Sequence, residues 1–417
     1  MKRVSPVAGA LMPTTSKRIA GIAAAALLTA GLASPVAAED GPIPIGLSLT
    51  QSPPGAVIQG EEVLRGHLIA RDIINEEGVL DREIELHVQD SQGIPERGRS
   101  AVERLIERVG VVALSGQHQS SVCLAEIDVA NRHNIPYMNT NCWSDDVRAA
   151  GYPQVFNPNI YNSRVAEAMG EAIAQLEGIE SIHALAENTD WGIGQAEELG
   201  KYLAEHAPDI AYRHDLLDRE AEDFTPVVQR IRSDQPDMVV AIMLPPAAYI
   251  LMNQLAEQGV VPSDDTWLFE GGGLFSYPDF WDNVRDSAVN TIFFDLYHPE
   301  MPLSAFGERV RDEYVERYDG TPSRLVFQAA DSLLLIAEAI RIAGSTDGDA
   351  MIEALQGIEL EGSRGVITFS DEPGVLYQQW VDTPYVTFQV TELDQALEDT
   401  VFVSAPGVEV NIEALAR

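Results

Sequence analysis

The chain has 417 residues, with 65 acidic and 27 basic side chains and a formal net charge of −38. This charge repels nucleic acid and anionic lipid, so the composition excludes polyanion binding as a function. The charge is typical of a solvated acidic surface in a salty medium, and a cation-attracting surface is the alternative. A hydrophobic content of 45% is enough for about two domains with cores of their own.

The first 38 residues have the order of a secretory signal peptide. Basic residues open the chain, an apolar run from Ile19 to Leu32 follows, and small residues end at Ala38. The apolar run is shorter than the ~20 residues of a membrane span. We expect cleavage near Ala38 and a periplasmic protein, with translation starting at Met1 or Met12. A buried N-terminal helix is the alternative.

From residue 43, short apolar runs alternate with amphipathic helical stretches. The repeated β-α-β order predicts a parallel sheet flanked by helices. The predicted strands are Ile43–Leu49, Ile84–Val88, Val111–Leu114 and Ile135–Met138, and the predicted helices are Glu61–Asn75, Pro95–Arg108 and Ser121–His133.

The same pattern begins again after a loop at residues 157–162, which predicts a second α/β domain. No linker separates the halves, so two Rossmann-like lobes joined by several chain crossings are expected. The predicted helices are Ser163–Leu176, Gln195–His206, Phe224–Ser233, Ala247–Gln258, Pro302–Tyr318 and Ser323–Ala343. The predicted strands are Ile182–Ala186, Ala211–Leu216, Met238–Met243, Trp267–Phe269, Thr291–Leu296, Leu376–Val381 and Tyr385–Val390, and the last twenty-odd residues have no clear pattern.

Enzyme motifs are missing from the sequence. There is no nucleophile elbow, no phosphate-binding loop with Lys and Ser or Thr, and no zinc-protease motif. Gly271-Gly272-Gly273 has no lysine or serine partner and is interpreted as a plain loop. The histidines lack metal-ligand spacing, and His118, between a strand and a helix, is either a ligand contact or a capping or surface residue. We therefore expect no catalytic residue, no cofactor and no metal.

The two cysteines, Cys123 and Cys142, lie 19 residues apart. In an oxidising compartment such a pair can form a disulfide. Two buried thiols are equally compatible with the sequence, because the sequence does not fix the separation that a disulfide needs.

A series of short segments then occurs in a characteristic order. They are Ile45–Thr50, Arg65–Gly66, Asp72–Asn75, Gly78–Leu80, Ile84–Leu86, Pro95–Arg97, Val111–Gly116, Glu187–Gly192, Asp223–Thr225 and Gln235–Val240. Their order resembles the type I periplasmic binding proteins of ABC transporters, in particular the branched-chain amino acid-binding (Leu/Ile/Val-binding-like) family. The likeness covers roughly residues 43–375.

This resemblance implies two lobes hinged around a central cleft. Residues 41–157 plus about 297–370 would form lobe 1, residues 161–290 plus about 375–395 lobe 2, and about 396–417 a C-terminal tail. The implied function is capture of a small solute and its delivery to an ABC transporter permease in the inner membrane. The protein would act as a monomer and without catalysis.

The resemblance also places a carboxylate site at Ser120 and Ser121, which lie at the start of a predicted helix. Hydroxyls and unpaired backbone N–H groups at a helix N-terminus suit a carboxylate. Helix capping by one serine is the alternative.

The next predicted ligand loop contains Asn141, Cys142 and Trp143, a departure from the small residues and threonine of the family. Trp143 is expected to stack on a planar ligand or to pack under the loop. Stacking would put an aliphatic amino acid in doubt. A disulfide to Cys123 would fix this loop to the helix that carries the serines.

Three residues complete the predicted site. Trp191 lies where the family carries an aromatic lid, and Glu270 resembles the acidic partner of a ligand ammonium group. Tyr161, on a connection between the lobes, is a further candidate for the cleft wall. Core packing for Trp191 and a solvated loop for Glu270 are the alternatives.

Serines opposite an acid describe an amino acid zwitterion, so an amino acid is the expected solute. An amide, a urea-like compound or an aromatic acid is the alternative, because residues 139–144 depart from the amino acid pattern. A soluble sensor that reports to a membrane receptor is another function class compatible with the sequence. Sugar-responsive repressors of related fold are disfavoured, because they carry a DNA-binding helix pair and are not exported.

Overall fold

The computed structural model describes residues 41–261, 263–318, 320–408, 411 and 415–416. Residues from Gly41 onward form one compact unit. The predicted signal peptide, residues 1–38, and its cleavage point lie outside the described residues. Among the helices of the described part, none is long and apolar enough to cross a membrane.

Sheet 1 has five parallel strands in the order β2-β1-β3-β4-β5. Its central strand β1 is buried along almost its whole length, because helices cover both faces of a parallel sheet. The strands are β1 (Ile43–Leu49), β2 (Ile84–Asp90), β3 (Ala113–Ser115), β4 (Tyr137–Met138) and β5 (Val155–Phe156).

Sheet 2 has seven strands in the order β14-β13-β10-β9-β8-β6-β7. Strands β6 to β10 are parallel, and β13 and β14 add two antiparallel strands at one edge. The strands are β6 (Ser181–Glu187), β7 (Ala211–Leu217), β8 (Met238–Ile242), β9 (Trp267–Glu270), β10 (Ile292–Asp295), β13 (Val386–Gln389) and β14 (Val401–Ser404). A separate hairpin consists of β11 (Glu359–Gly362) and β12 (Gly365–Thr368).

Twelve α-helices of the described part surround the sheets, and the longest pair, α1 and α11, pack against each other. A glycine makes their close approach possible, since a Cβ at Gly66 would lie 2.3 Å from the carbonyl oxygen of Val326. The helices are α1 (Val57–Asn75), α2 (Pro95–Arg104), α3 (Ser120–His133), α4 (Asp145–Ala149), α5 (Asn162–Gln175), α6 (Asp190–His206), α7 (Thr225–Asp234), α8 (Ala247–Glu257), α9 (Phe280–Asn283), α10 (Ala305–Tyr318), α11 (Arg324–Ala343) and α12 (Gly348–Gln356).

The α/β fold with parallel sheets flanked by helices is as predicted, and one predicted strand is wrong. Residues 376–381 do not form a strand. Gln378 has a φ of 51°, and this segment makes a turn that hydrogen-bonds to Asn157. Strand β14 lies inside the predicted C-terminal tail, where its four residues gave too short a pattern to recognise.

We call sheet 1 with α1–α4 and α10–α12 lobe 1, and sheet 2 with α5–α9 lobe 2. The chain passes between the two sheets at three places: after β5, after β10 and before β13. Arg148, a buried residue of α4, connects two of these crossings by hydrogen bonds to Asn159 (2.7 Å) and Gln379 (2.6 Å). The boundaries predicted for the two lobes stay a prediction.

A disulfide joins Cys123 in α3 to Cys142 in the loop after β4, with their Cα atoms 6.5 Å apart. The disulfide attaches the loop that carries Asn141 and Trp143 to α3, which begins at Ser120. Both cysteines are fully buried. The loop is therefore held from within lobe 1.

Replacing both cysteines by alanine should lower the free energy of unfolding by about 3 kcal/mol, because a closed loop of this size restricts the unfolded chain. Urea titrations of the wild-type protein and the double variant measure the difference. Wild-type protein treated with a reductant serves as the control and should match the variant. Equal stability of oxidised and reduced wild-type protein would contradict the stabilising role of the disulfide.

Candidate functional site

A small cavity lies between the two lobes. Its free volume of about 10 Å³ is about that of one water molecule, so a solute can enter only if the wall moves. Its wall consists of five residues of lobe 1 and three of lobe 2: Gln59, His118, Asn141, Trp143 and Arg324, and Trp191, Leu244 and Gly272. The cavity therefore depends on both lobes.

The wall residues come from the carboxyl ends of strands in both sheets. His118 follows β3, Asn141 and Trp143 follow β4, Leu244 follows β8, and Gly272 follows β9. Open α/β sheets bind ligands at this edge, where loops and helix N-termini converge. The carboxyl ends of the strands in both sheets therefore face the cavity.

Trp143 lies at the boundary between the lobes. Its indole N–H donates to the Oδ1 atom of Asn141 (2.8 Å), which fixes the ring relative to its own loop. Its ring meets Trp191 and Phe294 of lobe 2 edge to face, with centroid separations of 6.2 and 6.1 Å. Trp143 thus packs against lobe 2 and lines the cavity, and its stacking on a planar ligand stays a prediction.

Arg324 is the cationic residue of the cavity wall, and only 1% of its surface is exposed. It lies on α11 of lobe 1 and donates to the carbonyls of Gly273 (2.6 Å) and Gly272 (2.8 Å) and to the hydroxyl of Tyr277 (2.8 Å), all in lobe 2. The guanidinium also lies over the ring of Trp143, 5.3 Å from its centroid. Arg324 therefore connects the two lobes through the cavity wall.

The guanidinium of Arg324 remains charged. Burial lowers its pKa, but the neighbouring Tyr277 and Asp295 raise the pKa by more, so the net shift is upward. The nearest acid, Asp295, has its Oδ1 atom 3.7 Å from the guanidinium. This distance is longer than a hydrogen bond, so the charge is only partly compensated.

Several buried polar atoms of the wall make no hydrogen bond within the protein. They are Oε1 of Gln59, Nε1 of Trp191 and Nε of Arg324. Each unpaired buried polar group costs about 1–3 kcal/mol. Three such side chains around one cavity are expected where a ligand supplies the missing partners.

The imidazole of His118 is neutral in this environment. Burial lowers its pKa to about 3, and the positive charges of Arg324 and Arg219 act in the same direction. A neutral imidazole has one donor and one acceptor nitrogen. His118 can therefore bind a polar ligand group of either kind.

The two predicted serines lie at the N-terminus of α3, outside the cavity wall. Ser120 Oγ accepts the backbone N–H of Ser144 (3.1 Å), and Ser121 Oγ accepts the backbone N–H of Asp190 (3.3 Å). The second bond crosses from lobe 1 to the start of α6 in lobe 2. In this structure the serines connect segments around the cavity, and direct contact with a carboxylate stays a prediction.

Glu270 lies at the end of β9, behind Gly272, and is fully buried. Its carboxylate oxygens accept the backbone N–H groups of Gly272 (2.5 Å) and Leu274 (3.0 Å). Burial raises the pKa of this carboxyl to about 8, although both N–H groups and Arg324 oppose the shift. Glu270 is thus not a solvated loop residue, and contact with a ligand ammonium group stays a prediction.

Two further predicted residues, Cys142 and Tyr161, contact Arg148 next to the ligand loop. The carbonyl of Cys142 accepts hydrogen bonds from Asn139 (2.9 Å) and Arg148 (3.0 Å), inside the loop. Tyr161 lies at the start of α5, with the guanidinium of Arg148 5.6 Å from its ring centroid. Neither residue belongs to the cavity wall.

The sequence predictions missed four wall residues: Gln59, Leu244, Gly272 and Arg324. Arg324 had a recognisable signal, because a cation in the first turn of an apolar helix opposes the helix dipole. In the structure, Gly273 has a φ of 70°, and a Cβ there would lie 2.3 Å from the Arg324 guanidinium, so this position requires glycine. No sequence pattern pointed to Gln59 or Leu244, since only the folded chain brings them to the cavity.

The lobes are closed on each other in this structure. Besides the bonds of Arg324 and Ser121, Gln59 donates to the hydroxyl of Tyr277 (3.1 Å) and Arg219 donates to the carbonyl of Gly93 (3.1 Å). These bonds surround the cavity and join loops of opposite lobes. Among the described residues, no group of three or more His, Cys, Asp or Glu side chains is arranged to hold a metal ion.

Comparison with known proteins identifies this architecture. The family model of periplasmic binding proteins matches residues 42–391. The Leu/Ile/Val-binding protein homolog 7 of Brucella melitensis is 22% identical over 89% of this chain and 96% of its own length.

Solved structures of low identity share the fold. A leucine binding protein from Thermotoga maritima superposes with a TM-score of 0.77 at 18% identity, over 87% of this chain and 98% of its own. A solute binding protein of an ABC transporter from Rhodopseudomonas palustris, solved with 3,4-dihydroxybenzoic acid, gives 0.76 at 18% identity, over 87% of this chain and 96% of its own. The type I fold and the extent of the family match agree with the resemblance carried by the sequence motifs, and the chain belongs to the periplasmic binding protein family.

Proposed function

We propose that this protein is the extracytoplasmic solute-binding component of an ABC importer. It captures one small polar solute between its lobes and presents the closed form to a permease in the inner membrane. Binding, not turnover, is its function. The observation that carries the proposal is the interlobe cavity, whose wall contains two tryptophans and three side chains with unpaired polar atoms, those of Gln59, Trp191 and Arg324.

The physics of closure supports this role. A hinged pair of lobes closes when a ligand interacts better with the closed form than with the open form. Here the unpaired atoms of Gln59, Trp191 and Arg324 come from both lobes, so a solute that bonds to them joins the lobes. Binding thereby stabilises the closed form of the two lobes, which a permease can recognise.

Two classes of solute are candidates. The relatives named for leucine, isoleucine and valine binding support an amino acid, which needs a partner for its ammonium group, the role predicted for Glu270. The structural relative bound to a dihydroxybenzoic acid supports an aromatic acid, and the tryptophan pair with Arg324 favours this second class. The free volume of about 10 Å³ admits a solute of either class only after the lobes separate.

A ligand screen tests the proposed function. The purified protein is unfolded, dialysed and refolded with its disulfide intact, and its melting temperature is measured with amino acids, amides and aromatic acids. A solute at about 100 times its Kd should stabilise the folded state by ~2.7 kcal/mol. Absence of any shift across all three classes would contradict the proposal.

Trp191 should contribute strongly to affinity, because it lines the cavity from lobe 2 and is only 7% exposed. Trp191→Ala is expected to weaken binding of a solute found in the screen by about 30-fold, as for other buried aromatic contacts. Calorimetric titration measures the change.

The matched control is Trp281→Ala. Trp281 donates its indole N–H to the carbonyl of Gln395 (3.0 Å) and lies outside the cavity wall. This variant should lose stability but keep its Kd. Equal affinity losses in both variants would mean that the effect of Trp191 is structural.

A further inference from the structure

The charge of the cavity wall is uneven, and it indicates what kind of solute fits. Arg324 is a permanent cation in the wall, and no other wall residue carries a charge at neutral pH. Three of its bonds go to uncharged oxygen atoms of Gly272, Gly273 and Tyr277. Its Nε–H makes no hydrogen bond.

The acids near the cavity are poorly placed to receive a cation. Glu270 is outside the wall, and both of its oxygens accept backbone N–H groups. Asp295 is also outside the wall, and its Oδ1 accepts the backbone N–H of Leu296 (2.6 Å). Burial raises the pKa of both carboxyl groups, to about 8 for Glu270.

A third buried acid, Glu187, lies beside the wall residue Leu244. One of its oxygens accepts the backbone N–H of Leu244 (3.2 Å), and burial raises its pKa as well. Thus no carboxylate among the described residues lines the cavity. An ammonium group placed there would be buried without an anionic partner in the wall, and a buried charge without a counter-charge is unfavourable.

The tryptophans define the remainder of the site. Trp143 lies under the guanidinium of Arg324, and Trp191 meets Trp143 edge to face. Aromatic walls favour flat apolar groups, because offset and edge-to-face contacts add to the burial of apolar area. The indole N–H of Trp191 and the amide of Gln59 provide further polar contacts beside this surface.

We infer that the solute is a small carboxylate without an ammonium group, with its anionic end on Arg324 and a flat apolar body against Trp143 and Trp191. This inference rests on the proposed function and selects one of its two solute classes. The unpaired Nε–H of Arg324 can donate to a carboxylate oxygen, and burial strengthens such a bond between charged groups.

Three compounds of the same shape and different charge test the inference: benzoate, benzamide and benzamidinium. Calorimetric titration of the wild-type protein should show benzoate binding at least about 30-fold more tightly than benzamide, and no binding of benzamidinium. Benzamide or benzamidinium binding as tightly as benzoate would overturn the inference, and so would failure of benzoate to bind. Leucine is titrated in the same way. If leucine binds and benzoate does not, the inferred solute class is wrong but the proposed function as a solute-binding protein stands.

Arg324→Gln should remove the preference for benzoate over benzamide, since glutamine keeps donors but not the charge. Arg364→Gln is the matched control, because Arg364 is also buried and lies outside the wall, where it donates to the carbonyl of Leu296 (3.1 Å). The control should retain the wild-type ratio of affinities. An unchanged ratio in Arg324→Gln, measured on protein with a native circular dichroism spectrum, would overturn the role of Arg324.

Discussion

The guanidinium of Arg324 is a positive charge held inside the protein, on a helix of lobe 1, by three oxygen atoms of lobe 2. An isolated buried ion loses several kcal/mol of hydration, so the residues around it must compensate. Here they do so only in the closed arrangement, where the carbonyls of Gly272 and Gly273 and the hydroxyl of Tyr277 reach it. The position of the glycine loop, the glycine at 273 and the face of Trp143 all follow from this one buried charge.

Other contacts also hold the residues of the cavity wall in place. The disulfide holds the loop of Trp143 to α3, and Arg148 holds that loop to two of the chain crossings. Ser121 and Arg219 join the lobes at other points around the cavity. The wall is thus tied to its own lobe by a disulfide and buried hydrogen bonds, while the named contacts between the lobes are hydrogen bonds and ring contacts. This division is what a protein needs if it must close on a solute and later release it.

The sequence predicted the fold because a parallel sheet repeats its signal: each β-α-β unit gives an apolar run, a helix and a polar loop. It failed at Leu376–Val381, where an apolar pattern belongs to a turn between lobes, and at β14, which is too short to give a pattern. In the site, Asn141, Trp143 and Trp191 were predicted from the resemblance to the family; they line the cavity, and their contact with a ligand stays a prediction. Arg324 and Gln59 lie on helices distant in sequence from the ligand loops, so only tertiary packing places them there.

Small-angle X-ray scattering tests most directly whether the closed arrangement depends on a solute. The protein is measured after removal of bound compounds by unfolding and refolding, and again with a saturating solute. We predict a larger radius of gyration without the solute. The unpaired atoms of Gln59, Trp191 and Arg324 then bind water, and this becomes possible when the lobes separate. Identical scattering curves in the two states, both fitting the closed structure, would contradict it.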